Sequence, residues 1–385
     1  MKVRSTLLIL IVGSIMLFTN NLLAGSAEWL KQAQLGPHAP ATQDWDAIEK
    51  AAKKEGKVVI YSVSSRISKL VKEFKKLYGI EIVGYDLASG EQIQKFEREY
   101  KANLHKVDVL YNQAASEMIA RFLKKKMIWN FVPEGMASYL EAHEMSPLLI
   151  QRWSSRVLVY NTKFNPQKAP IDSLWDLTRK EWADKILTPE PTEDVMSSVF
   201  QTILNHPNEM AAAYKREFGT KIQLSEDINN AAEEWMFRFL QNNPLNETST
   251  TKIFKGIASV KQKNTPPIGF TTFSKLRKLK AGVTEASPAY QLDPVFGVAY
   301  PTVFAITDQA PHPNAAKLLI RYMMDKGYWP WNVMGDYAAH KNVQAKQVEK
   351  FKVPAFKDAK LWTIDPMQVY NSSGKYIDFI MNATP

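Results

Sequence analysis

The segment from Gly56 to Val83 restricts the fold more than any other. Val58–Tyr61 is a run of apolar, strand-favouring residues that ends in a polar loop, Ser62, Ser64, Ser65 and Arg66. Ile67, Leu70, Val71, Phe74, Leu77 and Tyr78 then recur at helical spacing on one face. Gly79 is placed to stop that helix as a left-handed residue. Ile80–Val83 follows as a second apolar strand. A strand, a helix and a strand joined in this way favour a parallel sheet. Ligands of open α/β sheets sit beyond the carboxyl ends of the strands. The Ser62–Arg66 loop falls at such an end. It offers hydroxyls, a helix N-terminus and one guanidinium.

The same order of parts recurs downstream. Ile80–Val83 leads through Ala88, Ser89 and Gly90 into a helix with Ile93, Phe96 and Tyr100 on one side. Val107–Tyr111 leads through Asn112 and Gln113 into a helix with Met118, Ile119, Phe122 and Leu123 inward. The three loops are therefore expected along one edge of one sheet. Upstream, Asp44 is placed as the N-cap of a helix reaching Lys54. Residues 28–43, with Gly36, Pro37 and Pro40, read as an arm with one short helix at Glu28–Gln34. Further on, Arg156–Asn161 is a strong strand and Ile186–Leu187 a brief one. Pro311–Asn314 signals a helix start before a buried face of Ala315, Leu318, Leu319, Tyr322 and Met323. Lys124–Lys126 and Lys275–Lys280 read as solvated helix faces.

The N-terminus carries an export signal: Lys2 and Arg4, an apolar run from Leu7 to Phe18, and small residues Ala24 to Ala27. The apolar run is too short to span a bilayer comfortably, so cleavage is expected rather than anchoring. The chain has no cysteine, which excludes disulfides, Cys-ligated metals and a lipid-modified cysteine. A soluble periplasmic protein, not a lipoprotein, is the expectation. The net charge of +10 falls to +8 without Lys2 and Arg4. A basic balance steers acidic ligands, and export argues against nucleic acid as the partner.

Ser62, Ser64, Ser65, Ser89, Thr271 and Thr272 supply hydroxyls for an oxyanion. Backbone N–H groups at helix starts near Arg66, Gly90 and Asp194 suit the same task. Arg66 can hold a phosphate or carboxylate through a bidentate fork. Asn112 and Thr192 belong to the same set of loops. Tyr300, with Trp329 and Trp331, can stack on a sugar ring or belong to the core. Glu193 and Asp194 act as helix caps or meet an amine on the ligand. No His/Asp/Glu cluster has ligand-like spacing, so neither metal nor cofactor is expected. There is no G-x-S-x-G and no H-E-x-x-H. An exported hydrolase stays open only through carboxylates paired in space, and an adhesive envelope protein through nothing more than export.

Several pieces in a fixed order carry a resemblance. They are Ala51–Ser62, Phe74 to Ile80, Asp108-Val109, Val159-Tyr160-Asn161, Leu174–Leu177 and Ala310–Ala316. In this order the sequence resembles extracellular solute-binding proteins of ABC importers, of the type II periplasmic class. It is most similar to the branch of ferric-ion-binding proteins and relatives that bind small organic anions. The resemblance implies an α/β, two-lobed type II periplasmic binding protein fold with a hinge of crossing strands. Signal peptide 1–27 and arm 28–43 would precede lobe one at 44–155 and 290–385, with lobe two at 156–289. Arg156–Asn161 would be the outward crossing, and a segment near 290–300 the return. The partner implied is a permease of the inner membrane, the protein does no chemistry, and a monomer is expected. Ferric relatives place two adjacent tyrosines before a helix of lobe two. Here the matching Ile268–Ser274 has none, and threonine hydroxyls do not replace phenolate towards Fe³⁺. The expected ligand is a small organic anion, such as a phosphorylated sugar or a phosphonate, with ferric iron the alternative.

Overall fold

A computed structural model describes residues 27–262, 266–343 and 353–384, so the expected export signal lies, but for its last residue, outside the described residues. Among the described residues, twelve strands share one hydrogen-bonded sheet. They are β1 (Lys57–Ser62), β2 (Glu81–Asp86), β3 (Val109–Asn112), β4 (Ile128–Trp129), β5 (Ile150–Tyr160) and β6 (Ile186–Thr188). Then come β7 (Leu245–Asn246), β8 (Ile268–Thr272), β9 (Ser287–Pro288), β10 (Gly297–Thr307), β11 (Asp336–Ala338) and β12 (Leu361–Thr363). The main path runs β2-β1-β3-β10-β5-β8-β6-β7.

Each end of that path is parallel, and its middle is not. β1 pairs in parallel with β2 and β3, and β6 pairs in parallel with β7 and β8. Between these two sets, β5 and β10 run antiparallel to each other. β10 carries on to pair β3, and β5 carries on to pair β8. Each is 11 residues long, so two continuous strands join the two parallel sheets. This is the hinge of crossing strands. It starts earlier than the sequence indicates, at Ile150 rather than Arg156. Arg152, Ser154, Ser155 and Arg156 interrupt the apolar run, yet every residue of β5 is buried.

Two hydrophobic cores flank the hinge. One gathers Val58, Ile60, Phe74, Val109, Phe122 and Phe304, and reaches Ile253 and Phe254. The other gathers Trp175, Met196, Phe200, Trp235, Phe239 and Phe270. At roughly 25 cal/mol per Å² of apolar surface, such clusters stabilise a chain that has no covalent cross-link.

Local signals set the elements around β1. Asp44 caps the helix Trp45–Glu55 by accepting from the Ala47 N–H at 3.0 Å. Gly79 has φ 73° and closes the helix Val71–Tyr78, as its position before β2 requires. One helical face was expected from Ile67 to Tyr78. A 3₁₀ turn, Ser65–Lys69, instead precedes the α-helix. Its three-residue repeat shifts the phase, and Leu77 ends 51% exposed.

The arm is docked. Leu30, Ala33 and Leu35 are buried, and the Trp29 Nε1–H donates to the Ala310 carbonyl at 3.0 Å. Gly36, at φ 54°, lies so close to Trp129 that a Cβ would come within 2.6 Å of the ring. The C-terminal helix Pro366–Ala383 packs on both sides of the hinge: Met367 lies against the first core, Val369, Tyr376 and Ile380 enter the second, and the Tyr376 hydroxyl donates to the Pro191 carbonyl. No described helix is long and apolar enough to cross a membrane.

Candidate functional site

The carboxyl ends of β1 and β8, the middle of β5 and the start of β11 converge on a cavity of about 280 Å³. Five basic side chains line it: Arg66, Arg152, Arg156, Lys275 and Arg277. Two acidic ones, Asp86 and Asp336, face them. Arg152 and Arg156 share a face because they sit two pleats apart on β5, with Ser154 between them. Both are more than nine-tenths buried. Burying charge is costly unless it is paired, so the pairing decides what the cavity can hold.

Asp336 meets the first of these charges. It takes the Arg66 Nη1–H at 3.0 Å and the Ser154 hydroxyl at 2.7 Å, and lies 3.9 Å from Arg152 Nε. Arg152 also spreads over the Tyr111 and Trp331 rings. Arg156 donates to the Thr272 hydroxyl, lies over the Tyr300 ring and comes within 3.7 Å of Glu193. Even so, the Nε atoms of Arg152 and Arg156 are buried without a hydrogen-bond partner. The remaining cations are held by neutral groups: Lys275 Nζ donates to the Thr251 hydroxyl at 3.0 Å, and Arg277 to the Ser274 carbonyl.

The crowding shows in the acidities. Burial, then the neighbouring Arg277 and Lys278, lowers the Lys275 ammonium to about 8. Arg277, exposed at the cavity rim, is brought down to about 10 by desolvation in the cleft and then by Arg66. Burial also lowers Arg152, against the pull of Asp336. An anion bound here would relieve all three.

Val63, Asp86, Gln113 and Thr250 line this cavity and also a second, of about 520 Å³, that adjoins it. Ser89 and the residues just before the helix Asp194–Leu204 form part of that second wall.

The structure brings together Ser64, Ser65, Arg66, Thr272 and Tyr300 at the cationic cavity and puts Ser89 in the adjoining one. Other expected residues do structural work. The Ser62 hydroxyl, fully buried, donates to the Ser64 carbonyl and shapes the loop. Asn112, also fully buried, ties Ser89 and Gln92 to the Ala114 N–H. The Thr271 hydroxyl donates to the Thr250 carbonyl, away from the cavity lining. Gly90 and Thr192 line neither cavity; Asp194 is the first residue of its helix, and its side chain lies outside what the structure describes. Glu193, not Asp194, is the N-cap, accepting from the Met196 N–H at 2.9 Å. Tyr300 and Trp331 are buried under Arg156 and Arg152, so neither offers an open stacking face.

The expected solvated face at Lys275–Lys280 is corrected in part. Phe273–Lys278 is a 3₁₀ turn in which Lys275 and Arg277 reach the cavity, whereas Lys278 and Lys280 stay exposed. Arg152, Arg156 and Asp336 were not foreseen. One signal was present: Arg152, Ser154 and Arg156 alternate along a strand and so share a face. In a group of three acids that could hold a cation, Asp172, Asp176 and Glu217, the Arg179 guanidinium already pairs with Asp176 and Glu217.

No protein-family model and no curated protein matches the chain. Solved structures do. Iron-bound HitA from Pseudomonas aeruginosa aligns at TM-score 0.64 and 17% identity, over 85% of this chain and 99% of that one. Apo ferric-ion-binding protein A from Pasteurella haemolytica aligns at 0.66 and 14%, over 85% and 98%. The substrate-binding protein of an ABC transporter from Agrobacterium tumefaciens aligns at 0.62 and 14%, over 85% and 93%. The chain has the two-lobed type II periplasmic binding fold, of the form found in the ferric-ion-binding proteins.

Proposed function

We propose that this protein is the periplasmic substrate-binding component of an ABC importer. It captures a small, multiply charged organic anion, such as a phosphorylated sugar or a phosphonate, and passes it unchanged to an inner-membrane permease. The observation that carries this reading is the cationic cavity, where Arg152 and Arg156 are buried with unpartnered Nε–H groups. A phosphate or carboxylate oxygen would complete those donors. The Agrobacterium neighbour is named as a substrate-binding protein of an ABC transporter, which supports the transport role. Lobe one at 44–155 and the strands that return to it, with lobe two at 156–289, would close on the ligand by a hinge motion through β5 and β10.

The neighbours that bind ferric iron favour a second reading. The charge opposes it: five basic residues line the cavity, and the one tyrosine that lines it among the described residues, Tyr300, has its pKa raised by burial, which resists the phenolate form. Calorimetric titration of the mature protein tests both. Micromolar binding of inorganic phosphate or phosphorylated sugars, with none of ferric citrate, is expected. Binding of ferric citrate alone would replace this reading with the iron one.

A further inference from the structure

The cationic cavity forms one end of the cleft. The adjoining cavity of about 520 Å³ has the opposite character. Asp86, Glu190, Glu193 and Glu247 line it, and among the described residues no lysine or arginine does. Glu193 and Glu247 are ion-paired, with Arg156 at 3.7 Å and Lys252 at 3.9 Å, whereas Asp86 and Glu190, both exposed, form no ion pair among the described residues. Hydroxyl and amide groups of Ser89, Gln113, Asn246 and Thr248 complete the wall. Partial desolvation and then Glu91 raise the Asp86 carboxyl.

The two cavities share four wall residues, so one molecule can lie across both. The volumes fall within the range of small-ligand sites. We infer that the ligand is a phosphoester with a primary ammonium group at its far end, the phosphate on the Arg152/Arg156 side and the ammonium among Asp86, Glu190 and Glu247. No aromatic side chain lines the acidic cavity among the described residues, which argues against a quaternary ammonium, whose recognition uses aromatic faces. A plain sugar phosphate would leave Asp86 and Glu190 without a cation.

This inference rests on the reading of the cationic cavity as an anion site, and matched probes separate the two. Glucosamine 6-phosphate and glucose 6-phosphate differ only in an ammonium in place of a hydroxyl. Calorimetric titration with both, and with inorganic phosphate, is expected to show glucosamine 6-phosphate binding about tenfold more tightly than glucose 6-phosphate. In the double variant Glu190→Gln/Glu247→Gln that ratio should fall towards one. Equal affinities in the unaltered protein would overturn the inference. So would binding of inorganic phosphate with both sugar phosphates excluded, and either result leaves anion capture standing. No binding of any of the three, inorganic phosphate included, would overturn anion capture and this inference together.

Discussion

The loop after β1 and the loop after β8 reach one cavity with different electrostatics. Each leaves the end of a strand, enters a 3₁₀ turn and delivers basic side chains. On the β1 side, Arg66 is locked to Asp336 at 3.0 Å, and the Ser64 hydroxyl is held by the Trp331 indole N–H. On the β8 side, Lys275 and Arg277 lean on a hydroxyl and a carbonyl, with no carboxylate paired to either among the described residues. The first side is neutralised before any ligand arrives. The second keeps its charge and is lowered in pKa for doing so. Fixed geometry thus belongs to the β1 side, and unspent attraction for an anion to the β8 side.

The largest test of this contrast removes Asp336. Asp336→Ala leaves Arg66 and Arg152 without their carboxylate, and chemical denaturation should show a loss of about 3 kcal/mol. An unchanged midpoint would mean that pairing does not hold the β1 side. Next, Lys275→Gln/Arg277→Gln should weaken phosphate binding about a hundredfold while moving the denaturation midpoint little, since two charge-assisted contacts go. A large stability loss with intact affinity would reverse the comparison.

Titration sharpens it further. Lys275 has a pKa of about 8 in the free protein, so above pH 8 it must regain a proton to hold an anion. The bound anion raises that pKa, and affinity should fall by about tenfold per unit between pH 9 and 10. Binding near pH 8.5 should take up a proton, seen as a buffer-dependent calorimetric heat, and Lys275→Gln should flatten the profile. The sign for folding is opposite. The native state holds fewer protons on Lys275 than the unfolded chain between about pH 8 and 10.5, so this group adds stability as pH rises there. The smallest effect is expected of Ser64→Ala. Its hydroxyl serves the Arg66 N–H and Trp331, so the loss should be about 1 kcal/mol of stability with affinity changed only a few-fold.

The two sides also differ in how far they can be read from the chain. Ser64, Ser65 and Arg66 lie where an apolar run meets a helical period, and position alone marks them. Lys275 and Arg277 lie in a basic stretch with no strong period, which looks the same whether it faces water or a cleft. Ser62, Asn112 and Thr271 have the right chemistry in the right loops, yet their polar atoms are used up on neighbouring backbone and side chains. A hydroxyl's partner cannot be seen in its spelling.

Short-range order, then, was written in the chain: the parallel unit around β1, the cap at Asp44, the stop at Gly79 and the extended stretch that became β5. Those features depend on residues a few positions apart, whose spacing is fixed by helix and strand geometry. The meeting of charges was decided only in three dimensions. Arg66 and Asp336 are 270 positions apart, and Arg156 and Glu193 approach from different elements. Coulomb energy depends on separation in space and on exclusion of water, and neither quantity exists until the two lobes have folded around their hinge.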